Sequence, residues 1–236
     1  MIPELGQFAL VLALLLSAGQ AYFGLWGAHR GNPRYMAVVR PAVAGHFVLV
    51  STAVAVLIYA FVNFDFSVMY VASNSNSALP TFYRVAALWG AHEGSLLLWG
   101  WILALWTLAV AVFSRNLPPS FASRVIGVLG IVSFCFLLFT LYTSNPFERL
   151  PPDQIPADGR DLNPVLQDPA LAIHPPLLYT GYVMIDNSAN AGYNFAVGSV
   201  TGVCQGNQRS AATGNNVGCG DAAKPQGIVA GIVHFW

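Results

Sequence analysis

"LWGAHEGSLLLWGWILALWTLAVAVF", Leu88–Phe113, decides how this chain is read. From Ser95 to Phe113 it carries no charged residue, which is about the length a helix needs to cross the hydrocarbon core of a bilayer. Just before that run stand His92 and Glu93. Such a pair is either the polar cap of a membrane helix or part of a surface that handles something large, flat and aromatic. Gly90 and Gly94 have the spacing of a helix-packing motif, which favours the plainer use.

The rest of the chain agrees with lipid as solvent. Of 236 residues 56% are hydrophobic and only 8% charged, against about 25% in soluble domains. Four segments reach spanning length, at residues 8–28, 42–62, 95–113 and 125–142. The bilayer offers no water to an open backbone, so each should be helical. Gly19, Gly27, Gly45, Gly127 and Gly130 would let these helices approach closely, and Trp26, Trp99 and Trp101 suit the interfaces. Glu4 stands where a secretory signal would be basic, so the first apolar run reads as a retained span. The predicted fold is an all-α, polytopic transmembrane helical bundle with about four spans and long outer loops.

Charge sets the orientation. Arg30, Arg34 and Arg40 lie between the first two spans, and Arg115 and Arg124 between the last two. The positive-inside rule puts these short loops in the cytoplasm and both termini outside. Net charge is zero and there is no basic run to track a phosphate backbone, so nucleic acid is not an expected partner. Cys135, Cys204 and Cys219 form no CxxC, which removes a zinc ribbon or thioredoxin-like motif.

Both outer segments are long, and long loops are usually functional or disordered. After Pro80, "TFYRVAALWG" has helical spacing with Arg84 off its apolar face, and predicts a short amphipathic helix at the membrane surface. The second segment has prolines at 146, 151, 152, 156, 164 and 169, which predict an extended, pinned loop. It ends at His174, followed by Pro175 and Pro176. Proline suits a first helical turn, so His174 is expected at the cap of a helix beginning "PPLLYTGYV". An imidazole on so stiff a backbone suits metal ligation as well as capping.

"PELGQFALVLAL", "LWGAHEGSLLLWGW", "NPFERL" and "DGRDLNPVLQDPALAIHPPLLYTGYV" together resemble the CcmF/NrfE family of cytochrome c maturation haem-lyase subunits. The resemblance runs over residues 1–183, and the Gly/Asn-rich residues 184–236 do not share it. It implies a multi-pass protein of the bacterial inner membrane that takes haem from a haem chaperone. With other maturation subunits, such a protein attaches haem to apocytochrome c on the periplasmic side. It also implies non-covalent haem b, with His174 as an axial ligand to the haem iron. Trp89, His92 and Arg84 have the right chemistry for a haem or partner surface beside it, namely aromatic shelf, imidazole and carboxylate-pairing cation.

The family's Trp-rich "WWxWD" motif and second ligand are absent from this sequence. The tail reads as a poorly ordered segment, from a truncated, frameshifted or chimeric frame, in which Cys204 and Cys219 could bridge. Ligation by this chain alone is therefore expected to be incomplete, and no residue is assigned a catalytic role. Two other readings stand beside haem handling. One is a structural or assembly fragment without chemistry. The other is an ion-translocating subunit, which would carry ionisable residues at mid-membrane depth. Against the latter, the cores of spans two to four hold none, with His46 placed near the inner end of span two and His29 on an inner loop.

Overall fold

The computed structural model describes residues 2–184 and a strand pair, β1 (Gln208–Arg209) with β2 (Asn216–Val217). The expected looseness of the tail and the Cys204–Cys219 bridge lie outside the described residues. The chain falls into two compact units, Met1–Ile173 and His174–Trp236.

Among the described residues seven α-helices run in order: α1 Ile2–Arg30, α2 Pro33–Val62, α3 Met69–Asn74, α4 Thr81–Ala86, α5 His92–Phe113, α6 Pro119–Thr143 and α7 Pro169–Met184. Four of these, α1, α2, α5 and α6, are long and apolar enough to cross a membrane. The chain is a multi-pass membrane protein. Each long helix outruns the apolar stretch that predicted it, because a helix continues into the interface where polar residues are tolerated. Local chemistry then fixes the ends. Asn32 caps α2, its Oδ1 accepting the Arg34 N–H at 3.0 Å, with Pro33 in the first turn.

Within the first unit α1 packs along α2 and α6, and α5 packs against α2 and α6. Glycine permits the tightest of these approaches. A Cβ on Gly24 would lie 2.8 Å from the Gly127 Cα, and one on Gly130 would lie 2.8 Å from the Ala21 nitrogen. Gly19, expected at an interface, has its nearest neighbour 4.0 Å away and serves no such contact.

Two expectations are corrected here. Gly90 and Gly94 do not form a helical packing stripe: Gly90 closes a 3-10 turn, Ala87–Trp89, and the extended Ala91 separates it from α5. Gly94 instead lets the start of α5 pass the Leu88 carbonyl, whose oxygen a Cβ would meet at 1.7 Å. His46 is not near an inner end. Because α2 begins at Pro33, His46 sits about 20 Å along it and is fully buried.

Candidate functional site

The loops at the acidic end of the first unit fold onto one another. Leu150 N–H donates to the Ser67 carbonyl at 2.9 Å, and Met69 N–H to the Glu148 carbonyl at 2.9 Å. Arg149 joins the same junction, pairing with Glu4 at 2.6 Å and Asp65 at 3.7 Å and bonding the Ser67 hydroxyl. Further along, Arg160 N–H donates to the Ala72 carbonyl at 2.8 Å. Asp158 accepts the Ser77 backbone N–H at 2.9 Å and its hydroxyl at 2.6 Å. The Ser77 hydroxyl, then its N–H, hold the Asp158 carboxyl below the usual carboxylate range.

Tyr70 is the pin of this end. Its buried hydroxyl accepts the Ala91 N–H at 3.1 Å and donates to the Leu88 carbonyl at 3.0 Å, so it closes the break between the 3-10 turn and α5. Burial pushes its phenol well above the usual range.

Arg84 lies on α4, the short helix that "TFYRVA" predicted. Its guanidinium donates to the Leu79 carbonyl at 2.9 Å, the Val62 carbonyl at 3.0 Å and the Thr81 hydroxyl at 2.9 Å. The charge also lies 4.4 Å above the Phe64 ring, whose backbone turns at φ 56° after α2. The cation therefore caps the end of α2. Three of its five N–H donors are spent inside the protein.

Trp89 is half-buried, and its indole Nε1–H donates to the Ala172 carbonyl at 2.8 Å. His92 opens α5 with its side chain 70% exposed and its Nδ1 3.5 Å from Glu93 Oε2. Trp89 and His92 thus come together at the entry to α5. Among the described residues, no three His, Cys, Asp or Glu side chains converge as a metal-binding group. His29 ends α1 with its ring 6.1 Å from that of Trp26.

His174 is exposed, but not as a cap. The helix begins five residues earlier, at Pro169, and His174 is inside α7. The cause is Asp168, whose Oδ1 accepts the N–H groups of Ala170 at 2.9 Å and Leu171 at 3.2 Å. An Asp cap followed by proline is a strong helix start that "QDPALAIHPP" already carried. Pro175 and Pro176 lie within the helix and, having no N–H, leave the carbonyls of Leu171 and Ala172 without helical donors. Trp89 supplies the donor that Ala172 lacks. The aspartate cap, Tyr70 and the Ser77–Asp158 clamp escaped sequence reading, and of these only the cap had a local signal.

Comparison with known proteins now adds to this geometry. The family described as Cytochrome C assembly protein matches residues 89–190, which begin at Trp89 and include His174. The cytochrome c-type biogenesis protein CcmF of Haemophilus influenzae is 52% identical over 200 residues, covering 85% of this chain and 30% of that protein. Over the matched residues, the chain belongs to the CcmF family. CcmF of Escherichia coli is 51% identical over 200 residues, covering 85% of this chain and 30% of its own length. NrfE of Haemophilus influenzae is 46% identical over 184 residues, covering 78% of this chain and 28% of its own. A solved structure named Cytochrome c Heme Lyase CcmF superposes with a TM-score of 0.65 at 29% identity, covering 77% of this chain and 28% of that one. The chain spans about 30% of the length of the curated CcmF relatives it matches.

Proposed function

We propose that this chain serves cytochrome c-type biogenesis by handling haem at the acidic end of its helical bundle. His174 would be an axial ligand to the iron of non-covalently held haem b. One observation carries this reading: an exposed imidazole lies on a helix capped by Asp168, tied through Ala172 to Trp89 and stiffened by two prolines. Little ordering is left to lose when such a group binds. Imidazole is also a common ligand of haem iron.

Haem here is cargo, and three residues of the first unit suit its chemistry. The Trp89 indole and the exposed His92 ring offer flat, partly polar surface. Arg84 keeps two N–H donors for a carboxylate such as a propionate. The arginine-bearing connections would face the cytoplasm, and this site would then lie on the periplasmic side of a bacterial inner membrane. Its partners there would be a haem chaperone, apocytochrome c and other cytochrome c maturation subunits. Thioether formation is proposed for the whole CcmF-type protein, and haem presentation for the described residues.

A second reading, an assembly scaffold without chemistry, draws on Arg84 and Trp89 being engaged in internal bonds. Haem titration of the purified chain separates the two. Haem handling predicts a Soret band that His174→Ala weakens, with affinity down about tenfold. An unchanged spectrum in H174A would remove His174 as ligand, and no Soret band in either protein would favour the scaffold.

A further inference from the structure

At the opposite end of the bundle from the paired loops, the two short connections enclose a cavity of about 380 Å³. It is lined by Arg40 and Arg115 above an apolar wall that includes Met36, Val39, Leu117 and Ile126. Val39 and Ile126 are buried members of a small core cluster on α2 and α6, so the wall continues into the membrane-spanning helices. Arg40 is held in place by one bond, from its Nη2 to the Ser114 carbonyl at 3.1 Å. Arg115 is exposed and makes no hydrogen bond or ion pair among the described residues. The Ser114 hydroxyl beside them is buried, at 7% residue exposure, without a hydrogen-bond partner there.

The charge pattern at this end is one-sided. Arg30, Arg34, Arg40, Arg115 and Arg124 all belong to it, and no Asp or Glu occurs between residues 5 and 64 or between 94 and 147. An arginine pair without an internal carboxylate, over apolar walls at the depth of the headgroups, matches a molecule with a phosphodiester and acyl chains. Guanidinium pairs with phosphate through its planar fork of donors, and basic pockets between membrane helices favour anionic headgroups. We propose that this cavity is a binding site for an anionic phospholipid, the phosphate held by Arg40 and Arg115 and the glycerol and first acyl carbons lying against Met36, Ala37 and Leu117. A zwitterionic lipid brings a cation to the same place and is disfavoured by the surrounding arginines.

The test uses the full chain purified in detergent, with phosphatidylglycerol or phosphatidylcholine added and bound lipid counted by native mass spectrometry. Phosphatidylglycerol is expected to be retained over phosphatidylcholine and to raise the thermal midpoint of the unmodified protein. Arg115→Gln, which removes no internal contact, should lower phosphatidylglycerol retention about fivefold. Arg160→Gln, an equal charge change at the other end, should leave it unchanged. Equal retention of the two lipids overturns the proposal, as does an equal loss in R160Q. Displacement of phosphatidylglycerol by millimolar inorganic phosphate also overturns it, because the site would then be one for the free anion. The midpoint shift in the unmodified protein decides the matter should R115Q fail to fold.

Discussion

The indole of Trp89 donates to the carbonyl of Ala172 at 2.8 Å, across 83 residues of sequence. The bond replaces the helical donor that Pro176 cannot provide, so it ties the entry of α5 to the first turns of α7. Trp89→Phe keeps the ring but leaves a buried carbonyl unpaired, a cost of about 1–3 kcal/mol. The expected outcome is faster proteolysis within residues 163–172 at an unchanged helix content, with haem affinity lowered several-fold. Unaltered proteolysis would mean that the bond does not hold α7.

Gly94→Ala is expected to be the more damaging change. The new methyl group would sit 1.7 Å from the Leu88 carbonyl oxygen and 2.6 Å from the Tyr70 hydroxyl, neither of which can retreat without breaking the pin between them. A loss of about 3 kcal/mol or more follows, visible as a lower thermal midpoint in detergent and reduced yield. The nearby Ser95→Ala variant, which loses only a bond to the Trp89 carbonyl at 3.1 Å, should be mild.

Acid should loosen the clamp between the two long loops. Asp158 is bound by Ser77 in the folded protein, so its folded pKa lies below the unfolded value. Its contribution is therefore complete above the ordinary carboxylate range, near pH 4, and is lost as pH falls through the depressed folded value. Hydrogen exchange at the Ser77 amide, corrected for intrinsic rate, should show protection at pH 6 that fades below pH 4. Asp158→Asn should remove most of this pH dependence.

His46→Leu is expected to stabilise the bundle. Both ring nitrogens are buried and have no hydrogen-bond partner among the described residues. Replacing an unsatisfied polar ring by an apolar group of similar size recovers about 1–3 kcal/mol. A raised thermal midpoint in detergent checks this, whereas a fall would mean that the ring's packing outweighs its unpaired nitrogens.

The four membrane helices were legible in the sequence because apolar length alone defines them, and so was the short helix at Thr81. Their ends were not, since Asn32 and Pro33 act through local bonds that a hydropathy window averages away. At the candidate site, reading Pro175 as a helix start displaced the true one, because Asp168-Pro169 lies in a segment dominated by loop-forming residues. Tyr70 gave no warning at all. Its role depends on Leu88 and Ala91 arriving from another part of the chain, which no local pattern records. Arg84 was visible as a cation off an apolar face, but its engagement with Val62 and Phe64 depended on how α2 ends.

The union of the two long loops through Ser67, Ala72 and Ser77 constrains how the protein is made. Residues 63–91 leave the ribosome with their hydrogen-bonding partners, 148–160, still unsynthesised, and two more helices must enter the membrane before those partners arrive. The cap can therefore close only after all four membrane helices have been made. Until it does, the newborn protein presents unpaired backbone at the surface, which is the interval in which a chaperone or an assembling neighbour has its best opportunity to engage it.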